Sequence, residues 1–146
     1  MVPGGLTAGE CQLVPLGPQH NESDYAAWTT SIDHIRATPG FAGRNWPHEM
    51  SLDDNLGDLE RHARDFAGRR GFTYTVLSTG TGDVIGCVYI YPPSGQEAGR
   101  HGERPATVSS WVRADHAALD PVLHDAVLAW LEHDWPFDSI EYAPRT

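Results

Sequence analysis

The sequence predicts an α+β fold, a mixed sheet with helices packed on it, in the order β-α-α-β-β-β-α-β. Three observations predict it. Two stretches between residues 21 and 70 carry apolar residues at helical spacing, three strand-like runs follow in succession between 72 and 112, and a proline-initiated helix precedes a last short strand. The chain has 146 residues, the size of one domain, so residues 11–146 are taken as a single domain behind a loose N-terminus at residues 1–10.

The first strand is CQLVPLGP, residues 11–18, placed at a sheet edge because Pro15 cannot donate to a ladder. In NESDYAAWTTSIDHIRAT, Tyr25, Trp28, Ile32 and Ile35 recur at three and four, with Asn21 or Ser23 as cap and Thr38-Pro39-Gly40 as stop. A loop with Phe41 and Trp46 leads to a long helix capped by Ser51, running to Arg70 and stopped by Gly71. Its expected buried stripe is Leu52, Leu56, Leu59, Ala63 and Phe66. FTYTVLST and DVIGCVYIY form a hairpin through Gly80-Thr81-Gly82-Asp83, ended by Pro92 and Pro93. The glycine-rich residues 94–105 read as a mobile surface loop, and ATVSSWV as the third consecutive strand. A helix starts at Asp120-Pro121, with Val122, Val127, Trp130 and Leu131 facing inward, and SIEYAP is the last strand.

Composition removes several functions. Twenty acidic against ten basic side chains give a formal charge of −10, which repels a phosphate backbone, so nucleic acid is excluded as a partner. No apolar run approaches the ~18 residues of a membrane helix, and MVPGGLTAGE lacks the basic and apolar regions of a secretion signal, so a cytoplasmic protein without a membrane partner is expected. Cys11 and Cys87 are far apart and read as buried reduced thiols. No G-x-S-x-G, P-loop or H-E-x-x-H occurs. Asp54, Asp58, His62 and Asp65 share a helix face with metal-like spacing, but they lie opposite the leucine stripe and read as a solvated acidic face; no metal site is expected. His20, Glu22 and Asp24 are explained by capping and first-turn charge.

The element order, with GFTYTVL and GDVIGCVYIYPP as a central hairpin, resembles the front two-thirds of the GNAT acyltransferase fold over roughly residues 11–144. The resemblance implies acyl transfer from acetyl-CoA to a small-molecule amine. In the family, the strand resembled by Ala106–Val112 pairs with the pantetheine arm, and a Q/R-x-x-G-x-G/A loop cradles the pyrophosphate on helix-terminal N–H groups. Laying Val112 on the motif's leading valine puts Ala117 at the Q/R position and Asp120 and Val122 at the glycines, and no glycine occurs after Gly102. Asp120 places a carboxylate where a dianion should sit and can cap the helix itself, while Pro121 removes a donor. The family's following helix and final two strands have no counterpart, so the fold is expected to be C-terminally truncated.

The residues that the resemblance implies as surviving cofactor contacts are Trp111, Val112, Arg113 and His116. Glu103 and Tyr142 are the catalytic candidates, with a substrate pocket of Phe41, Trp46, Tyr89, Tyr91 and Ser109. This pocket is expected in the crevice where the strands Ala106–Val112 and Ser139–Pro144 splay, roofed by the loop from Phe41 to Trp46. Two functions stay open: an N-acetyltransferase, or a degenerate GNAT scaffold that binds a small ligand or a partner protein without catalysis. An unpaired outer edge on SIEYAP makes a homodimer an expectation as well.

Overall fold

The computed structural model describes residues 2–93 and 105–145. Six strands form one sheet in the order in which the chain makes them: β1 (Leu6–Ala8), β2 (Cys11–Pro15), β3 (Phe72–Ser78), β4 (Val84–Tyr91), β5 (Ala106–Val112) and β6 (Ile140–Tyr142). Helices α1 (Asn21–Thr29), α2 (Ile32–Ala37) and α3 (Leu52–Ala67) fall between β2 and β3, and α4 (Asp120–Asp134) falls between β5 and β6. Neighbouring strands are antiparallel except β5 and β6, which run parallel because α4 returns the chain between them. The α+β class and the mixed sheet match the expectation.

The sheet is covered on both faces, and this explains why β3 and β4 read as almost unbroken apolar runs. On one face Phe72, Tyr74, Val76, Val88 and Val108 pack with Leu123, Val127, Trp130 and Leu131 of α4. The opposite face carries Cys87, Tyr89 and Trp111 against Trp28, Ile35, Phe41 and Leu59. Pairing of β3 with β4 shifts between Val76 and Leu77, so Ile85 and Cys87 reach opposite faces despite being two residues apart. Gly86 permits this, since a Cβ there would sit 2.5 Å from the Trp111 carbonyl oxygen. Cys11 and Cys87 are buried free thiols.

Several local expectations are corrected. Part of the segment expected to be loose forms β1, turned back on β2 at Gly9 (φ 57°), and the Tyr74 hydroxyl ties down the Pro3 carbonyl at 2.6 Å. Strand β1 covers β2 only as far as Leu13, which leaves Pro15 beyond the ladder on that side. The first long helix is broken into α1 and α2, because the hydroxyls of Thr29 and Thr30 turn back onto the carbonyls of Tyr25 and Ala26 (2.7 and 2.8 Å). Neither Asn21 nor Ser23 caps it: Asn21 donates to the Leu52 carbonyl, and Ser23 accepts from the Val84 N–H at 2.9 Å. Ser51 does cap α3 in a reciprocal box with Asp54. That helix ends earlier than expected, with Arg69 rather than Gly71 in the left-handed region (φ 59°). Its buried line contains Asn55 and Leu59, whereas Leu52 is 40% exposed; Val122 on α4, expected inward, is 53% exposed. No helix among the described residues is long and apolar enough to cross a membrane.

Candidate functional site

The expected single crevice is two cavities that share Arg44 and Tyr91 on their rim. One, of about 200 Å³, lies between α1, α3 and β4 under the loop that follows α2. The other, of about 440 Å³, opens where β5 and β6 part. Their parallel pairing runs only from Ala106–Ile140 to Val108–Tyr142, after which the two strands diverge.

The smaller cavity has aromatic walls. Strand alternation puts Cys87, Tyr89 and Tyr91 on one face of β4, as expected, and Phe41 and Trp46 close over it with ring centroids 6.2 Å apart and each 6.3 Å from Tyr89. Trp111 lies beneath this wall, fully buried, and its indole N–H donates to the Tyr89 hydroxyl at 2.9 Å. It is core and not a surface that a ligand meets. The polar floor comes from α1 and α3. Asn55 is fixed by three bonds: its carbonyl oxygen accepts from the Trp28 indole (3.0 Å), and its amide donates to Asn21 (2.9 Å) and to Asp24 Oδ2 (3.1 Å). An indole only donates, so this network sets the orientation of the amide. Asp24 is 5% exposed, and burial pushes its carboxyl up to about 6, with Asn55 pulling it down and Asp58 adding to the rise. Beside it His62 bonds Thr73 Oγ1 at 3.2 Å, and burial, with Arg61, holds its pKa down, so the imidazole is neutral at pH 7.

Asp24 and Asn55 correct the sequence reading. Sequence pattern alone accounts for Asp24 by first-turn charge and for Asp58 and His62 by a solvated face, yet all three line the cavity. The missed signal was positional: Asp24 precedes Trp28 by four residues and Asn55 precedes Leu59 by four, so each polar residue lies on a buried helical stripe. Among the described residues no group of three or more His, Cys, Asp or Glu side chains is arranged to hold a metal ion.

Ser109, Tyr142 and Tyr91 line the larger cavity. The Tyr142 hydroxyl bonds Ser110 Oγ, its ring packs on His124 with centroids 4.3 Å apart, and burial pushes its pKa up to about 12. Glu103, the other catalytic candidate, and residues 94–104 of the expected loop lie outside the described residues.

Of the expected cofactor contacts, Val112 packs in the core on the α4 face, and Arg113 and His116 both reach Asp115, at 3.0 and 2.8 Å. These bonds hold the Asp115 carboxyl below its usual range, His116 contributing most. Where the resemblance implies a glycine loop the chain has a 3₁₀ helix, Ala114–Leu119, that runs directly into α4. Two of its N–H groups and that of Asp120 are engaged: Ala114 donates to Ser31 Oγ (2.9 Å), His116 to the Arg113 carbonyl (2.9 Å), and Asp120 to the Ala117 carbonyl. Asp120 does not cap α4, contrary to expectation; Leu119 holds the cap position and makes no side-chain bond there.

Asp120 bonds Arg145 instead, and no sequence signal pointed to Arg145. Its Nε is 2.7 Å from Asp120 Oδ2, Nη2 donates to the Ser110 carbonyl at 2.8 Å, and Nη1 donates to the carbonyls of Ala143 (2.8 Å) and Pro39 (3.3 Å). With its side chain 4% exposed, this guanidinium fills the gap between β5 and the start of α4. Coenzyme A laid along β5 needs that strand's backbone free beyond the point of divergence and unengaged N–H groups at the helix start. The residues present do not fit it in that pose.

No family model matches the sequence, and no curated protein matches it. Solved structures do match the architecture. The microcin C7 self-immunity acetyltransferase MccE, in complex with acetyl-CoA and AMP, superimposes with a TM-score of 0.65 at 15% identity, covering 93% of this chain and 70% of that one. The ribosomal-protein-S5-alanine acetyltransferase from Vibrio fischeri gives 0.70 at 10% identity, covering 94% and 72%. The ribosomal L7/L12 alpha-N-protein acetyltransferase RimL in complex with coenzyme A gives 0.67 at 8% identity, covering 88% and 65%. At such low identities what is shared is architecture, and it agrees with the element order and the mixed sheet: the chain has the GNAT acetyltransferase fold.

Proposed function

We propose that this protein is a small-molecule-binding module built on the GNAT fold, that its ligand occupies the aromatic cavity between α1, α3 and β4, and that it works without coenzyme A. The observation that carries this reading is Arg145, which holds the Ser110 carbonyl on β5 and the Asp120 carboxylate at the start of α4. The cavity beside Asp24 is by contrast open and lined with aromatic rings. A homodimer through the outer edge of β6, which pairs only with β5 among the described residues, belongs to the proposal; light scattering that gives a monomer mass removes it.

A second reading, acyl transfer from acetyl-CoA to an amine, is favoured by a separate observation. The aromatic cavity and the β5–β6 cleft meet at Arg44 and Tyr91, so an acceptor in one would adjoin a donor in the other. Thermal unfolding with millimolar acetyl-CoA separates the two. The binding-module reading expects no change, whereas a ligand at ~100 times its Kd stabilises a fold by about 2.7 kcal/mol, and a shift of that size would replace the first reading with the second.

A further inference from the structure

We infer that the aromatic cavity takes a small zwitterion, with its ammonium against Asp24 and its carboxylate against the guanidinium of Arg44. The inference rests on the reading that this cavity is the ligand site, and it adds the chemical class and the orientation.

The floor is the first argument. Asp24 is more than nine-tenths buried, and Oδ2 accepts from Asn55 while Oδ1 has no hydrogen-bond partner among the described residues. Oδ1 opens on the cavity, and a carboxylate mostly withdrawn from bulk water with one oxygen facing the cavity favours a ligand that brings N–H donors and positive charge. The walls agree, because Trp46 and Tyr89 line the cavity, and aromatic rings accept a cationic head and an aliphatic body alike. Charge at the rim then sets the orientation. Arg44 stacks over Phe41 with its guanidinium carbon 5.0 Å from the ring centroid, and Arg61, the other rim cation, already reaches Asp58 at 3.6 Å. Arg44 is therefore the principal anchor for an anionic group. The reverse pose would set two carboxylates against each other at the floor. Volume limits the ligand further: about 200 Å³ is below the ~300–1,000 Å³ of drug-sized pockets, so a compound of amino-acid size is indicated.

Calorimetric titration with three probes of one carbon skeleton tests this: leucine, 3-methylbutylamine and 4-methylpentanoate. Leucine is expected to bind at least tenfold more tightly than the amine, and the acid not at all. Arg44→Gln should bring leucine down to the affinity of the amine, and Asp24→Asn, with folding checked by circular dichroism, should abolish binding of both. Equal affinity for leucine and 3-methylbutylamine overturns the zwitterion and leaves the cavity as a ligand site. The same holds if all three fail while another compound from a small-molecule screen binds and Trp46→Ala removes its binding. If no compound binds there, both the inference and the reading beneath it fall.

Discussion

The aromatic cavity and the β5–α4 junction are adjoining polar regions of one sheet, and they hold their carboxylates differently. At the junction Asp120 and the Ser110 carbonyl are satisfied by Arg145 and the Ala114 N–H by Ser31, while Arg113 Nε is buried without a partner among the described residues. In the cavity Asp24 is mostly buried, with one oxygen bonded by Asn55 and the other open to the cavity. A satisfied network holds a fold together, whereas an uncompensated desolvation costs stability and persists where function uses it. The junction therefore has the form of a structural staple, and the cavity that of the proposed ligand site.

Removing Arg145 is the largest expected insult to that contrast. Truncating one partner of a buried ion pair costs ~3–5 kcal/mol because the other charge is left without compensation, and the Asp120 side chain is only 15% exposed. Urea unfolding of Arg145→Ala at pH 7 should show a loss of that order, with Arg145→Lys intermediate because it keeps the charge and loses the planar fork. Acetyl-CoA should still fail to bind Arg145→Ala, since Asp120, Pro121 and the engaged N–H groups remain. A loss below ~1 kcal/mol together with new acetyl-CoA binding would make the junction a gate and break the comparison.

Asp24 should behave in the opposite sense. Its carboxyl is raised from 3.8 to about 6 on folding, so the folded protein holds this proton more tightly than the unfolded chain does. The associated stability is fully present below pH ~4 and is lost as pH rises through about 6, at a cost of ~3 kcal/mol above that. The charged and titratable groups around it are Asp58, Arg61 and His62 on α3, Arg44 on the loop after α2, and Cys87 and Tyr89 on β4. Asp24→Asn keeps an acceptor for Asn55 and carries no charge. It is expected to unfold at higher urea than wild type at pH 7, with the gap closing as pH falls from ~6 to ~4. A pH-independent gap, or a destabilised variant, would mean that the carboxylate is compensated after all.

The same contrast explains what the sequence disclosed. Strand alternation in VIGCVYIY places Cys87, Tyr89 and Tyr91 on one face, because apolar periodicity is a local property, whereas the Phe41–Trp46 loop, expected as the roof of the β5–β6 crevice, closes over Tyr89 in the other cavity. The missing glycines after Gly102 were equally local, and the 3₁₀ helix at Ala114–Leu119 agrees with them. What stayed hidden depends on pairing across the chain. Asp24 meets Asn55 across 31 residues, Asp120 meets Arg145 across 25, and Ser31 meets Ala114 across 83, and nothing in the local pattern distinguishes these from surface polar residues. Leu52 and Val122 failed for a related reason. A stripe of apolar residues identifies a helix but not its rotation against the sheet, which turns Asn55 inward on α3 and Trp130 and Leu131 inward on α4.

Ser31 offers the smallest and most local test. Its hydroxyl, on a residue 3% exposed at the break between α1 and α2, accepts from the Ala114 N–H, the first donor of the 3₁₀ helix that stands where the resemblance implies a phosphate loop. Ser31→Ala removes that acceptor at a cost of ~1 kcal/mol and should speed hydrogen exchange at the Ala114 amide ahead of its neighbours. The freed N–H also tests whether engagement of donors or local charge keeps anions away. Asp115 and Asp120 remain in the variant, so pyrophosphate is expected to leave the Ala114 amide resonance unmoved. Saturable movement of that resonance would instead show that one hydroxyl is what separates a closed junction from an anion site, and the staple would then have to be assigned to Ser31 as much as to Arg145.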